Sequence, residues 1–300
     1  MRVEIHVEFA SNSTPPGASG MYEKRPRSFY FLAAFFTLFL IFLYGPTITI
    51  AILSFQGPSG GLTFPMRGVS LHWFRDLFEE QAVGDIWGSF SRSLVLGLMV
   101  MVTTVVVSVM GGLAFRKRFA GSGILFYLII TSLVIPSILV SLGVGLIWSQ
   151  SGLSVHWSTS GFGAQLTWTL PFGLLIMFAV FNRFDQSYEE AARDLGATPW
   201  QTIRHVGLPI IAPSLIGVAL FGFTLSYDEF ARTLLTSGSH NTLPLEIFGM
   251  TTNVTTPVIF ALGTLTTVFS FLVIAVFLAF VWLTDRRRKK QGSDAGKGMV

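Results

Sequence analysis

The sequence predicts an all-α membrane protein built on six transmembrane helices. Three observations carry that expectation. Hydrophobic residues make up 51% of the 300 positions and charged residues only 12%, against roughly 25% charge in soluble chains. Mean hydropathy is +0.62. Six stretches each hold the approximately 20 mostly apolar residues that a bilayer crossing requires.

Taken in order, these stretches are 29–55, 93–115, 124–148, 163–182, 208–230 and 257–284. Pro46, Pro136, Pro171 and Pro213 fall inside or at the rim of four of them. Spanning helices tolerate proline because neighbouring helices and hydroxyl side chains satisfy the freed carbonyls, so each is expected to be a simple kink. Residues 1–28 are polar, with Ser, Pro and Gly concentrated between 11 and 20. They read as a disordered cytoplasmic lead, and Met21 within them is a second candidate start. Residues 29–284 form the membrane domain, and 285–300 a basic cytoplasmic tail.

Orientation follows from Lys and Arg. Sixteen of the twenty fall in the N-terminal lead, the 2–3 loop (Arg116, Lys117, Arg118), the 4–5 loop (Arg183, Arg193, Arg204) and the tail. The other four are Arg67, Arg75, Arg92 and Arg232. The positive-inside rule therefore places both termini and the 2–3 and 4–5 loops in the cytoplasm. The tail is a topology anchor that meets anionic lipid, not a nucleic-acid site. Trp148, Trp157, Trp168 and Trp282, near span ends, are expected to be interfacial anchors.

The 4–5 loop, 183–207, can be built from capping rules. Ser187 stands three residues before Glu190, the spacing of a capping box. Tyr188, Ala191, Ala192 and Leu195 share one helical face. Gly196 is placed to end the helix in a left-handed conformation. Thr198 opens a second helix with Pro199 at its first position and Gln201 at its third. The result is a compact two-helix knob leading into the fifth span at Leu208-Pro209. Small Ala191 and Ala192 permit close approach of a partner. Glu189, Glu190, Arg193 and Asp194 are expected to be exposed charges that orient it.

Glu190-Ala191-Ala192, Gly196 and Val206-Gly207-Leu208-Pro209 resemble the EAA loop of permease subunits from ATP-binding-cassette (ABC) importers, with Val206 in place of the usual Ile. Over about 29–288 the chain is similar to the spermidine/putrescine-type permeases. The likeness rests on the stretch from Ser70 to Phe78, on Leu225-Ser226-Tyr227-Asp228-Glu229-Phe230, on Thr242-Leu243-Pro244-Leu245 and on Ala261-Leu262-Gly263-Thr264-Leu265. Arg92-Ser93 departs from the Asn-Ser that many relatives carry. The resemblance implies the type I importer (MetI-like) permease fold in a bacterial-type inner membrane. It implies a cytoplasmic ATPase dimer that grips the knob and carries the ATP and Mg. It also implies a second permease subunit of a different chain, and an extracytoplasmic solute-binding protein. A polyamine-like organic cation is the favoured solute.

The chain itself shows no catalytic constellation and no cofactor site. Gly296-Lys297-Gly298 lacks both the upstream Gly and the following Ser/Thr of a phosphate loop. Zero Cys excludes disulfides and thiolate metal sites, and His6, His72, His156, His205 and His240 lack metal-ligand spacing. Asp228 and Glu229, near the outer end of the fifth span, read either as a cation-attracting vestibule or as a hydrated helix end. Trp73, Phe74, Leu77 and Phe78 would give an interfacial helix one apolar face, resting on lipid or seating the binding protein. The rival to an importer subunit is a non-transporting membrane scaffold that recruits a cytoplasmic partner.

Overall fold

The structure is a computed structural model that describes residues 26–79, 84–117, 119–253 and 256–295. The chain divides into two compact units, Met1–Thr49 and Ile50–Val300. The first unit contributes most of α1 (Arg27–Leu53), apolar on every face and carrying Pro46 inside. Residues 1–25 of the expected disordered lead lie outside the described residues.

The described residues of the second unit are mainly helical. Its elements are α2 (His72–Glu79), α3 (Ile86–Phe115), α4 (Ser122–Val134), α5 (Ser137–Gln150), α6 (Phe162–Asn182), α7 (Ser187–Asp194), α8 (Pro199–Thr202), α9 (Leu208–Tyr227), α10 (Leu243–Asn253) and α11 (Val258–Ala295). π-helical turns at Trp157–Gly161 and Ile203–Gly207 lead directly into α6 and α9. Among the described residues, β pairing is limited to one antiparallel bridge between Gln56 and Val69. Among the described residues, five helices are long and apolar enough to cross a membrane, or six spans if a bent pair is taken as one.

The third predicted span is corrected. It is not one helix but α4 and α5, bent through 108° at Ile135-Pro136. Proline disfavours helical geometry in the residue before it, and Ile135 is extended (φ −69°, ψ 127°). Thirteen residues of α4 rise only about 20 Å, short of the roughly 30 Å hydrocarbon core. Pro136 is therefore a corner rather than a kink, and the sixth crossing exists only if the bent pair is taken together.

α3 is the central column. It packs on α6 and on α9, which also pack on each other. Close approach is allowed by residues without side chains, as expected where lipid supplies no hydrophobic drive between helices. A Cβ on Gly173 of α6 would stand 2.8 Å from Thr104 Cγ2 and also meet Ser108; one on Gly222 of α9 would stand 3.3 Å from Met101 Cα. Buried Thr104 donates to Thr169 Oγ1 at 3.1 Å, pairing α3 to α6. Met177, Phe181, Ile211 and Val218 form a core at the end nearer α7. Trp73, Leu77, Phe223, Tyr227, Leu243 and Leu262 belong to a second core at the opposite end. The interfacial helix expected around Trp73 is thus α2, but its inward face is Trp73 and Leu77, packed against α11, while Phe78 stays exposed.

Gly173→Val is expected to wedge α6 off α3 and destabilise the bundle by about 1–3 kcal/mol, the usual cost of overpacking. Gly217→Ala in α9, where a Cβ meets nothing within 4 Å, should be neutral or slightly stabilising. Thermal unfolding in detergent checks both.

Candidate functional site

The knob is assembled by local rules that close at both ends. Gly196 has φ +84°. The Gly196 N–H reaches Arg193 O at 2.8 Å and the Ala197 N–H reaches Ala192 O at 3.0 Å, which is the double bond of a Schellman stop. Thr198 Oγ1 accepts from the Gln201 N–H, and Gln201 Oε1 accepts from the Thr198 N–H at 2.8 Å, a complete capping box with Pro199 at the head of α8. From α8 the path runs through the π turn Ile203–Gly207 into α9, so that Pro199–Tyr227 is one helical rod of 29 residues. Leu208 and Pro209 form the junction of knob and span.

Two expectations about the knob are corrected. Ser187 does not cap α7. Asp185 Oδ1 accepts the Ser187 N–H at 3.0 Å, and the bonds from the Ser187 backbone and side chain hold the Asp185 carboxyl below its ordinary range. Asp185 reaches the orphan N–H two residues on, so the Ser187–Glu190 box does not form. Glu189 is not an exposed charge. It is 8% exposed and takes Arg116 in a bidentate grip, with Nη1–Oε1 at 2.6 Å and Nη2–Oε2 at 3.0 Å. Arg193 approaches the same carboxylate at 3.9 Å. Arg116 in turn lies over Phe181 and Phe184, at 5.5 and 5.3 Å.

This grip inverts the helix. Its one buried side chain is the carboxylate Glu189, while large apolar side chains of the knob face outward. Tyr188 is 56%, Leu195 90% and Trp200 65% exposed. Glu190, Ala191, Arg193 and Asp194 are also exposed, and Ala192 half-buried. The expected site residues therefore share one protrusion, except that Glu189 faces the bundle.

At the opposite end the two candidate acids part company. Asp228 is exposed after the last turn of α9. Glu229 turns inward, and its Oε1 accepts from the Arg232 N–H at 3.1 Å and pairs with Arg232 Nη1 at 3.5 Å. Glu229 is thus not a free vestibule charge. Arg232, 2% exposed, donates to Ser137 Oγ (2.8 Å) and Thr167 Oγ1 (3.2 Å). Its guanidinium lies 4.5 Å from the Trp168 ring, so Trp168 serves as a cation platform. Ser141 donates to Arg232 O and accepts from Leu235 N, both at 3.0 Å. The loop after α9 is thereby tied to α5 and α6. Nearby, Arg92 pairs with Asp85 at 2.9 Å and donates to Asn241 O at 2.7 Å, holding the Asp85 carboxyl below its ordinary range. Ser93 Oγ accepts the Leu243 N–H at 2.7 Å.

Residues 105–290 match the family described as "Binding-protein-dependent transport system inner membrane component". The chain belongs to this family. It is a multi-pass membrane component of a binding-protein-dependent transport system, and the match takes in Arg116, the whole knob and Arg232. The spermidine/putrescine transport system permease protein PotC of Haemophilus influenzae is 27% identical over 259 residues, 83% of this chain and 95% of the relative. The putrescine transport system permease protein PotI of Escherichia coli is 28% identical over 83% of this chain and 89% of the relative. A bacterial ABC transporter that imports the acidic polysaccharide alginate superposes with TM-score 0.65 at 18% identity, covering 88% of this chain and 99% of that one. The inward-facing MetNI methionine ABC transporter gives TM-score 0.52 at 18% identity, over 66% and 94%. These two likenesses establish the importer permease fold.

Sequence reasoning counted Arg116 and Arg232 only as topology charges. The i, i+3 spacing of Glu229 and Arg232 could have revealed their pairing. Nothing in the sequence joins Arg116 to Glu189 across 73 positions. Arg232→Ala is expected to cost about 3–5 kcal/mol of stability, because it strands a buried carboxylate. Adding Glu229→Ala should recover part of that loss, and a double-mutant cycle by chemical denaturation measures it.

Proposed function

We propose that this permease couples to a cytoplasmic ATPase through the α7–α8 knob and passes a polyamine-like organic cation. The observation that carries the coupling is the continuity of knob and rod. A rigid protrusion with an exposed apolar face runs without a break into α9, which packs on both α3 and α6. An ATPase subunit gripping Tyr188, Leu195 and Trp200 can displace α9 as a lever. Glu190, Arg193 and Asp194 ring that face and orient the partner.

In this reading the knob and both termini lie in the cytoplasm, in line with the Lys and Arg distribution. The ATPase dimer carries ATP and Mg. A second, different permease chain completes the pathway, and a solute-binding protein delivers the solute to the opposite face in a bacterial-type inner membrane. Closure of the ATPases on ATP draws the knobs together and opens the pathway outward; hydrolysis resets it. The solute class follows from the names of the relatives, each matched over 83% of this chain. Asp228, exposed at the outer end of α9, is the group that attracts the cation. Glu229 acts indirectly by holding Arg232.

Proline cannot adopt the positive φ of residue 196, so Gly196→Pro should unfold the turn between α7 and α8. Glu190→Lys reverses a charge on the exposed rim. Both should leave the chain inserted while abolishing ATPase co-purification and uptake. Retention of both activities would show that the knob is not the coupling surface, and a scaffold would show partner binding without uptake. Asp228→Asn should lower putrescine uptake more than uptake of a neutral solute, compared in proteoliposomes; equal effects would remove Asp228 from the pathway.

A further inference from the structure

The knob is held to the bundle at three points. Two are covalent, through residues 183–186 from α6 and through the π turn into α9. The third is the Arg116–Glu189 pair, which joins α7 to the C-terminal end of α3. We propose that Arg116 is the positioning residue that makes α7 and α3 move as one body, so that a pull on the knob is delivered to the central column as well as to α9. This rests on the knob being the coupling surface, and it goes beyond that reading by naming α3 as a further recipient of the force.

Several features fit a persistent tether rather than an incidental surface contact. Both oxygens of Glu189 are engaged, and its side chain is 11% exposed against 18% for that of Arg116. Bidentate guanidinium–carboxylate pairs fix geometry as well as charge. Arg116 follows the last turn of α3, where a cation complements the carbonyl end of the helix. The rings of Phe181 and Phe184, contributed by α6 and the chain just after it, lie within 5.5 Å of the guanidinium and hold it from the other side. Open space lies on both flanks of the pair. Cavities of about 590 Å³ and 340 Å³ share Arg116 and Gln186 in their walls. Packing alone therefore does not join α7 to α3 there, and the ion pair is the direct connection. Arg193, 3.9 Å away and 60% exposed, is too loosely placed to replace Arg116.

The test uses the assembled importer in proteoliposomes, with putrescine as probe. Arg116→Ala and Glu189→Ala should each keep insertion and ATPase co-purification while lowering the unfolding midpoint, since each strands a largely buried partner charge. Each should lower binding-protein-stimulated ATP hydrolysis about tenfold, within the usual range of coupling between sites. The double variant Arg116→Ala/Glu189→Ala, which strands none, should recover part of the midpoint and stay uncoupled. The chain has no cysteine, so Arg116→Cys/Glu189→Cys gives a single reactive pair. That variant should be equally uncoupled, and bridging it with a flexible bis-maleimide should restore the stimulated rate. Wild-type stimulation in either alanine variant would overturn the tether, as would a bridged pair that stays uncoupled or falls below the unbridged rate. Loss of co-purification in the alanine variants would overturn it too, by assigning the pair to the docking surface. Absence of stimulated hydrolysis in the unsubstituted chain would instead overturn the coupling role of the knob.

Discussion

The contact of α3 with α6 and α9 is the constraint on which the other features depend. Lipid offers these helices no hydrophobic gain on association, so they hold together by close packing and by internal polar bonds. Gly173 and Gly222 permit the approach, and the Thr104–Thr169 bond ties α3 to α6. α3, at 30 residues, is about 45 Å long. It therefore runs the length of the α6–α9 bundle, and each of its ends is secured by an arginine. Arg92, near the start, binds Asp85 and the Asn241 carbonyl next to α10. Arg116, just past the finish, binds Glu189 in α7. The column is pinned where the chain leaves the apolar layer, which is where a charge can be held at tolerable cost.

The parts legible in the sequence were those governed by short-range rules. Hydropathy located the long spans because backbone groups in lipid must be satisfied within the segment. Gly196 and the Thr198–Gln201 box were readable because a stop and a cap involve only a few consecutive residues. The same reasoning misplaced the start of α7, where Asp185 and Ser187 offered competing local bonds and the longer-reaching carboxylate prevailed. It also took α4 and α5 for one helix, since hydropathy cannot tell a proline kink from a corner. The orientation of α7 was beyond its reach. Tyr188, Ala191, Ala192 and Leu195 do share a face, but which face turns inward is decided by Arg116, a residue 73 positions from Glu189.

That orientation bears on the proposed coupling. An amphipathic helix on a bundle ordinarily buries its apolar side. Here the side chain turned inward is Glu189, satisfied by an arginine, and Tyr188 and Leu195 are left in water beside the exposed Glu190, Arg193 and Asp194. Burying a large apolar side chain is worth about 1.5–3 kcal/mol, so leaving Tyr188, Leu195 and Trp200 exposed forgoes stability that the fold alone would have gained. Aromatic side chains at the centre of a contact are the residues that most often dominate binding between proteins. The arrangement is economical for a surface completed by a partner and wasteful for a loop that meets only solvent.

The buried pair also explains how such a surface can be stiff. Association is weakened whenever loops must be ordered on contact, and a helix of eight residues is far below the length at which an isolated helix persists. α7 is ordered beforehand by two local devices, the Asp185 start and the Schellman stop, and the Arg116 grip fixes it to α3. α8 is ordered by its capping box and by the rod that follows it. The exposed apolar face is therefore presented without an ordering cost, and force applied to it has no slack segment in which to be absorbed. A mobile loop of the same composition could bind a partner, but it could not displace α9 relative to the rest of the bundle.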